Sequence, residues 1–158
     1  MGCPLTVHRR CISPMFELSN ALSYNHMMKQ QTALPDSEKE AGFCRKSSGW
    51  INVSGSENSM AGKDHYVEAQ GRKAWELIQT AFQKSEGIPS LFVITPFTTV
   101  RDGMKKMIRS QPEYRKDKRF MDWAEQCIGT VHTFQGKEAA QVIFCWDAIE
   151  SLYQQFGG

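Results

Sequence analysis

The apolar segment 91–95, LFVIT, constrains the fold of this chain more than any other feature. It follows a turn at residues 87–89 and ends at Thr95-Pro96. A continuous apolar run of this length is typical of a buried strand in a parallel sheet. The segment directly after it predicts a helix with one apolar face, formed by Val100, Met104, Met107 and Ile108.

The same alternation of strand and helix patterns continues through the rest of the chain. It predicts an α/β fold with a mainly parallel central sheet flanked by helices. One domain is expected over residues 1–145, with a tail at 146–158. Further helices are predicted at 14–25, at 66–84 and around Phe120 and Trp123, and further strands at 50–53, 127–131 and 141–146. The first of these helices is expected to bury Met15, Leu18 and Leu22.

Composition excludes several classes of protein. The chain has 158 residues, of which 41% are hydrophobic and 23% charged, which suits one globular domain and not a disordered chain. No apolar run approaches the roughly 20 residues of a membrane-spanning helix, and the start lacks the apolar core of a signal peptide. We therefore expect a cytoplasmic protein with no membrane partner. The five cysteines include no CxxC pair and the four histidines are scattered, so no metal site is expected.

Gly-Lys occurs twice, but neither copy forms a phosphate-binding loop. Gly55 lies seven positions before Gly62 instead of five, and Asp64 stands where a Ser or Thr hydroxyl would bind magnesium. Gly136-Lys137 lacks both the upstream glycine and the hydroxyl. The sequence also contains no adjacent Asp-Glu pair to bind magnesium. The chain alone is therefore not expected to hold a complete NTPase site.

Basic residues are concentrated between Arg101 and Arg119. This segment has eight basic and three acidic residues, although the net charge of the whole chain is only +2. Such a stretch indicates either an electrostatic footprint for phosphates or a solvated helix face.

Three polar clusters each follow a predicted strand directly. They are Arg9 and Arg10, the turn that begins at Thr95-Pro96, and residues 132–138, HTFQGKE. Open α/β sheets bind ligands at the carboxyl ends of their strands. The turn after Thr95 also offers hydroxyls and helix N-terminal amides, which suit phosphate contacts.

These segments resemble a known family. The sequence GTVHTFQGKEAAQVIF resembles motif V of superfamily 1 helicases, LTVHRRCISPMF resembles motif IV, and VITPF resembles the nucleic-acid-contacting turn between them. Their order is similar to that in the second, C-terminal RecA-like motor domain of the branch that includes the nonsense-mediated-decay helicases. The resemblance covers about residues 3–145 and implies a three-layer RecA-like fold.

In that family ATP with Mg²⁺ lies between two RecA-like domains. The resemblance implies that Arg10 is a catalytic arginine finger and that Arg9 lies at the nucleotide. It further implies nucleotide contacts by Gln135, Gly136, Lys137 and Glu138. The alternatives from the residues themselves are that Arg10 pairs with a neighbouring carboxylate and that Lys137 is a solvated lysine.

The resemblance also implies a track for single-stranded DNA or RNA. The positions that match it are Thr95, Pro96, Phe97, Arg101, Thr130, His132 and Thr133. Backbone contacts dominate such tracks and the base sequence is not read. The alternative interpretation of His132 is that it is a buried histidine.

The sequence departs from the family pattern in two places. His8-Arg9-Arg10 stands where many relatives have Gln-Tyr-Arg, so Arg9 would stack through its guanidinium instead of an aromatic ring. The final motif of the family, which carries a second arginine, is absent from this sequence. We therefore expect a fragment that lacks the first RecA-like domain, holds no ATP or Mg²⁺ by itself and is inactive alone. The rival interpretations are a non-enzymatic single-strand-binding module and a structural domain that docks a partner.

Overall fold

The computed structural model describes residues 6–32, 42–55 and 65–146. The chain divides into two units, Met1–Glu40 and Ala41–Gly158. Several features of the sequence lie outside the described residues, namely Cys3, the Gly62-Lys63 pair and the tail from Asp147 onward. The prediction of one domain over residues 1–145 stays a prediction.

The first unit contains two short parallel strands and one helix. They are β1 (Val7–His8), α1 (Met15–Tyr24) and β2 (Lys29–Gln30), with Val7 in register with Lys29. The predicted helix is present, but the expected burial of Met15, Leu18 and Leu22 is wrong, because all three side chains are exposed.

The orientation of α1 explains this exposure. Asn20 is its buried residue, and the Asn20 side-chain amide bonds both the N–H and the carbonyl of Met28, each at 3.0 Å. At about 100° per residue, Leu18 and Leu22 lie on the side of the helix opposite Asn20. The two amide bonds therefore fix the side of the helix that carries Asn20 and the partly buried Phe16 towards the interior of this unit.

The second unit contains a three-stranded parallel sheet and four helices among its described residues. The strand order is β4–β3–β5, so β3 is central. In chain order the elements are α2 (Glu68–Lys84), β3 (Leu91–Thr95), α3 (Thr98–Ser110), α4 (Pro112–Lys116), α5 (Lys118–Cys127), β4 (Ile128–Thr130), a 3-10 helix (Val131–Phe134) and β5 (Gln141–Phe144). This arrangement confirms the predicted α/β fold class and is consistent with a RecA-like domain.

The strand predicted at residues 50–53 is not formed. These residues have irregular backbone, and Trp50 is 80% exposed. Within the described residues no strand pairs with this segment, so its β-forming side chains gain nothing from an extended conformation.

The core lies between one face of the sheet and the helices. Leu91, Val93 and Thr95 are buried, whereas Phe92 and Ile94 alternate with them and are only partly buried. The apolar run therefore forms a buried central strand, as the sequence predicts, and one of its faces is more deeply buried than the other. Helix side chains complete the core, and the largest of those that are fully buried are Ile78, Met104, Ile108 and Trp123. On the other face Phe92 stacks on Phe134, with ring centroids 4.3 Å apart.

Within the described residues, no helix has the length and apolar character needed to cross a membrane.

Candidate nucleic-acid and nucleotide site at the carboxyl edge of the sheet

The carboxyl ends of β3 and β4 lie side by side in the second unit. Thr95, the last residue of β3, is the register partner of Thr130, the last residue of β4. Because the strands are parallel, the segments that follow them leave the sheet at the same edge. The structure therefore brings together two of the polar clusters that the sequence singled out.

The turn after β3 is fixed by the Thr95 side chain. Thr95 is fully buried, and its hydroxyl oxygen accepts a hydrogen bond from the Phe97 N–H at 3.4 Å. Phe97 is the N-cap of α3 and is 38% exposed, and its ring packs at a tilt against His65, with ring centroids 4.4 Å apart. Thr95 thus positions the backbone of Pro96 and Phe97, and the Phe97 ring is exposed to solvent.

The turn after β4 is held by two threonines. The Thr130 N–H donates to the Thr133 hydroxyl at 3.2 Å, and the two hydroxyl oxygens are also 3.2 Å apart. Thr130 is buried, whereas His132 and Thr133 are exposed on the 3-10 helix. The alternative of a buried His132 is therefore wrong.

Residues 135–138 form an exposed turn between the 3-10 helix and β5. Gly136 has φ +79°, and a Cβ there would meet no atom within 4 Å. The Lys137 N–H donates to the Phe134 carbonyl at 2.9 Å, and the Lys137 ammonium lies 5.6 Å from the centroid of the Phe134 ring. The exposure of Gln135, Lys137 and Glu138 leaves the turn open to a nucleotide, and their nucleotide contacts stay a prediction.

A pocket of about 420 Å³ lies against α3 near the same edge. We call it the α3 pocket. Two of the predicted nucleic-acid-binding residues, Arg101 and Thr133, line it together. Its other charged lining residues are Asp102, Lys105, Arg109 and Glu125, and Ile128 of β4 also borders it.

Ion pairs organise the charges of the α3 pocket. Arg101 Nε donates to Asp102 at 2.8 Å, and this bond lowers the pKa of the Asp102 carboxyl. Arg109 donates to Glu125 at 2.5 Å, and this bond lowers the pKa of the Glu125 carboxyl. Both carboxylates are therefore ionised at neutral pH, and the pocket carries three cations against two anions.

Arg9 and Arg10 lie in the first unit, directly after β1. The Arg9 guanidinium donates to the Gln31 side chain at 3.3 Å. Arg10 is exposed, and among the described residues it forms no ion pair. The alternative that Arg10 pairs with a neighbouring carboxylate therefore has no support from the described part of the chain. Its role as an arginine finger stays a prediction.

Lys105, Arg109 and Glu125 were not predicted from the sequence as site residues. The signal for the two cations was present, because Arg101, Lys105 and Arg109 are four residues apart and so share one face of a helix. Glu125 had no such signal, since it belongs to α5 and meets α3 only through packing. Among the described residues no group of three His, Cys, Asp or Glu side chains is arranged to hold a metal ion.

The parallel sheet and its polar carboxyl edge define the class of this protein as an α/β domain of RecA-like type. A family model described as an AAA domain matches residues 3–147. The chain therefore belongs to this AAA-domain family, which is a helicase-like domain family of superfamily 1 helicases. This finding confirms the resemblance at the level of the superfamily. Neither curated proteins nor solved structures gave a significant match.

Proposed function

We propose that this chain supplies a single-strand-binding edge and part of the nucleotide site of an ATP-dependent DNA or RNA helicase or translocase. The family to which it belongs is one of helicase-like, ATP-dependent nucleic-acid enzymes. The observation that carries the proposal is the position of Arg101 and Thr133 in one pocket beside the paired ends of β3 and β4. A cation, a hydroxyl and exposed backbone at a sheet edge are the groups that bind a phosphate backbone.

The finer parts of the proposal rest on the motif resemblance. They are the place of the chain as the second RecA-like domain, its membership of the nonsense-mediated-decay-like branch and a cytoplasmic location. The partner that follows from this is a first RecA-like domain with the phosphate loop and the magnesium-binding carboxylate. With both domains present, bound ATP with Mg²⁺ would supply the phosphoryl group whose transfer to water drives such a motor.

Two features of the turn 135–138 fit a nucleotide. The left-handed backbone at Gly136 and the open space around it allow close approach of a ligand to the main chain. Glu138 has an exposed carboxylate that can accept a hydrogen bond from a ribose hydroxyl. Lys137 and Gln135 are exposed beside it.

Binding of single-stranded DNA or RNA by this chain tests the proposed strand-binding edge of the sheet. We expect labelled oligo(dT) or oligo(rU) of about 16 nucleotides to bind in fluorescence anisotropy, with an affinity that falls as salt rises. Arg101→Gln should weaken binding and make the slope of log affinity against log salt shallower by about 0.7, because one phosphate contact is lost.

Arg72→Gln is the matched control. Arg72 also forms an exposed ion pair with a carboxylate on its own helix, here Glu68 of α2, and it does not line the α3 pocket. Equal losses for Arg72→Gln and Arg101→Gln would show that only total charge matters and would contradict the proposed edge.

The role of Arg10 is tested in a protein that carries both this chain and a domain with a phosphate loop. Arg10→Ala should lower ATP turnover by about 10³–10⁵-fold while ATP affinity changes little, because a finger acts on charge that develops in the transition state. Arg72→Ala should leave turnover unchanged. Unchanged turnover in Arg10→Ala would contradict the finger.

A further inference from the structure

We propose that Lys105 and Arg109 form a second phosphate-binding position in the α3 pocket, and that the Glu125 carboxylate occupies this position until the backbone of a single strand displaces it. This inference rests on the proposed function and extends it. It assigns to Glu125 the role of an internal competitor for the strand.

The first support is the geometry of α3. Arg101, Lys105 and Arg109 follow one another at intervals of four residues on a continuous helix, Thr98–Ser110. A rise of about 1.5 Å per residue spaces their Cα atoms about 6 Å apart along one face. All three line the same pocket as Thr133. A phosphate chain that contacts Thr133 and Arg101 is therefore directed along α3 towards Lys105 and then Arg109.

The second support is the position of Glu125. Its two carboxylate oxygens are divided between two cations, with Oε1 2.5 Å from Arg109 and Oε2 3.5 Å from Lys105 Nζ. A carboxylate that bridges a guanidinium and an ammonium takes the place that a phosphate oxygen would take. Because Glu125 is half-exposed, the energy of these pairs is small and a polyanion can displace the carboxylate.

Lys105 has a further bond that keeps it in place when Glu125 moves. Its ammonium also donates to the backbone carbonyl of Glu125 at 3.2 Å, in the last turn of α5. A cation there satisfies a helix C-terminal carbonyl and interacts favourably with the helix dipole. The carbonyl bond does not depend on the Glu125 side chain, so removal of the carboxylate charge leaves Lys105 positioned in the pocket.

The test is the variant Glu125→Gln in the anisotropy assay with oligo(dT) and oligo(rU). We expect binding to become about 3- to 10-fold tighter, since the strand no longer has to break two exposed ion pairs. Arg109→Gln should weaken binding instead. In the double variant with Arg109→Gln, the gain from Glu125→Gln should shrink, because one of the two released cations is missing.

Glu76→Gln is the matched control for charge. Glu76 forms an exposed ion pair with Lys73 on α2 and does not line the α3 pocket. It therefore removes the same unit of negative charge and also frees one lysine. An equal gain in Glu76→Gln would overturn the proposal, because the effect would then come from net charge alone.

The outcomes separate this inference from the proposed function. If the wild type binds and Arg101→Gln weakens it, but Glu125→Gln binds no more tightly than the wild type, then Glu125 is not a competitor and only this inference is overturned. If neither the wild type nor Glu125→Gln binds either oligonucleotide at low salt, the proposed function and this inference are both overturned. If Glu125→Gln binds ATP more tightly but binds neither oligonucleotide more tightly, then Lys105 and Arg109 bind a free triphosphate. That result would overturn the proposal that they bind a single strand.

Discussion

The indole of Trp123 donates a hydrogen bond from Nε1 to the backbone carbonyl of Leu91, at 2.9 Å, across the interior of the second unit. This bond joins α5 to the first residue of the central strand. Strand β4 pairs only with Val93 to Thr95, so Leu91 lies beyond that ladder. Trp123 thus provides both core volume and a partner for a buried main-chain acceptor.

Trp123→Phe should lower the free energy of unfolding by about 2–3 kcal/mol, because the Leu91 carbonyl loses its indole partner and the smaller ring leaves space in the core. Urea unfolding followed by circular dichroism measures the change. Trp50→Phe is the control, since Trp50 is 80% exposed. It should change stability by less than about 0.5 kcal/mol. Similar losses in the two variants would show that Trp123 is not a core residue.

Gly103 on α3 packs directly against the ring of Tyr66. A Cβ at Gly103 would lie 2.5 Å from the Tyr66 Cγ. Although alanine is favoured over glycine in a helix by about 1 kcal/mol, the overlap should outweigh that gain. Gly103→Ala should therefore reduce stability by a net value of about 1–2 kcal/mol in urea unfolding.

Two further variants check the Gly103 explanation. Gly87→Ala, at a position where a Cβ would meet nothing within 4 Å, should be neutral or slightly stabilising. The double variant Tyr66→Leu with Gly103→Ala should lose less stability than the sum of the losses in the two single variants, because the smaller side chain at position 66 relieves the overlap. Strict additivity would mean that the two residues do not clash.

Gly136 needs glycine because of its backbone conformation and not because of crowding. Its φ of +79° is unfavourable for residues with a Cβ, and the space around it is open. Gly136→Ala should cost about 1–2 kcal/mol of stability, whereas Gly136→Asn should cost less because asparagine tolerates this region better. Thermal unfolding of the two variants measures the difference. If Ala and Asn are equally tolerated, the turn does not hold this conformation in solution.

Burial raises the pKa of the Cys145 thiol to about 11, from the usual 9.0. Because the folded-state pKa is the higher one, the contribution of this thiol to stability is present below about pH 9 and is lost as the pH rises towards about 11. Between about pH 8 and pH 10 the wild type should therefore lose about 1 kcal/mol more stability than Cys145→Ala.

Thiol reactivity gives an independent check on Cys145. The thiolate is the reactive form, so Cys145 should be labelled more slowly than Cys11, which is partly exposed, in the native chain near pH 8. After denaturation the two should react at similar rates. Fast labelling of native Cys145 would contradict its burial.

The sequence by itself determined the secondary structure of much of the second unit. The run LFVIT is strand β3, and the apolar faces around Met104 and Trp123 belong to helices α3 and α5. Local periodicity carries this information because each element buries one face of its own. The motif TVHTFQGKEA likewise indicated the superfamily that the family match supports.

Tertiary structure decided which of those residues meet. The register of Thr95 with Thr130, the contact of Glu125 with Arg109 and the packing of Gly103 on Tyr66 all join residues that are distant in the sequence. Periodicity says which face of an element is apolar, but not which neighbour covers it. The exposure of Met15, Leu18 and Leu22 was also not predictable from periodicity, because the side-chain amide of Asn20 bonds the backbone of Met28 and so faces inward, opposite to the apolar side of α1.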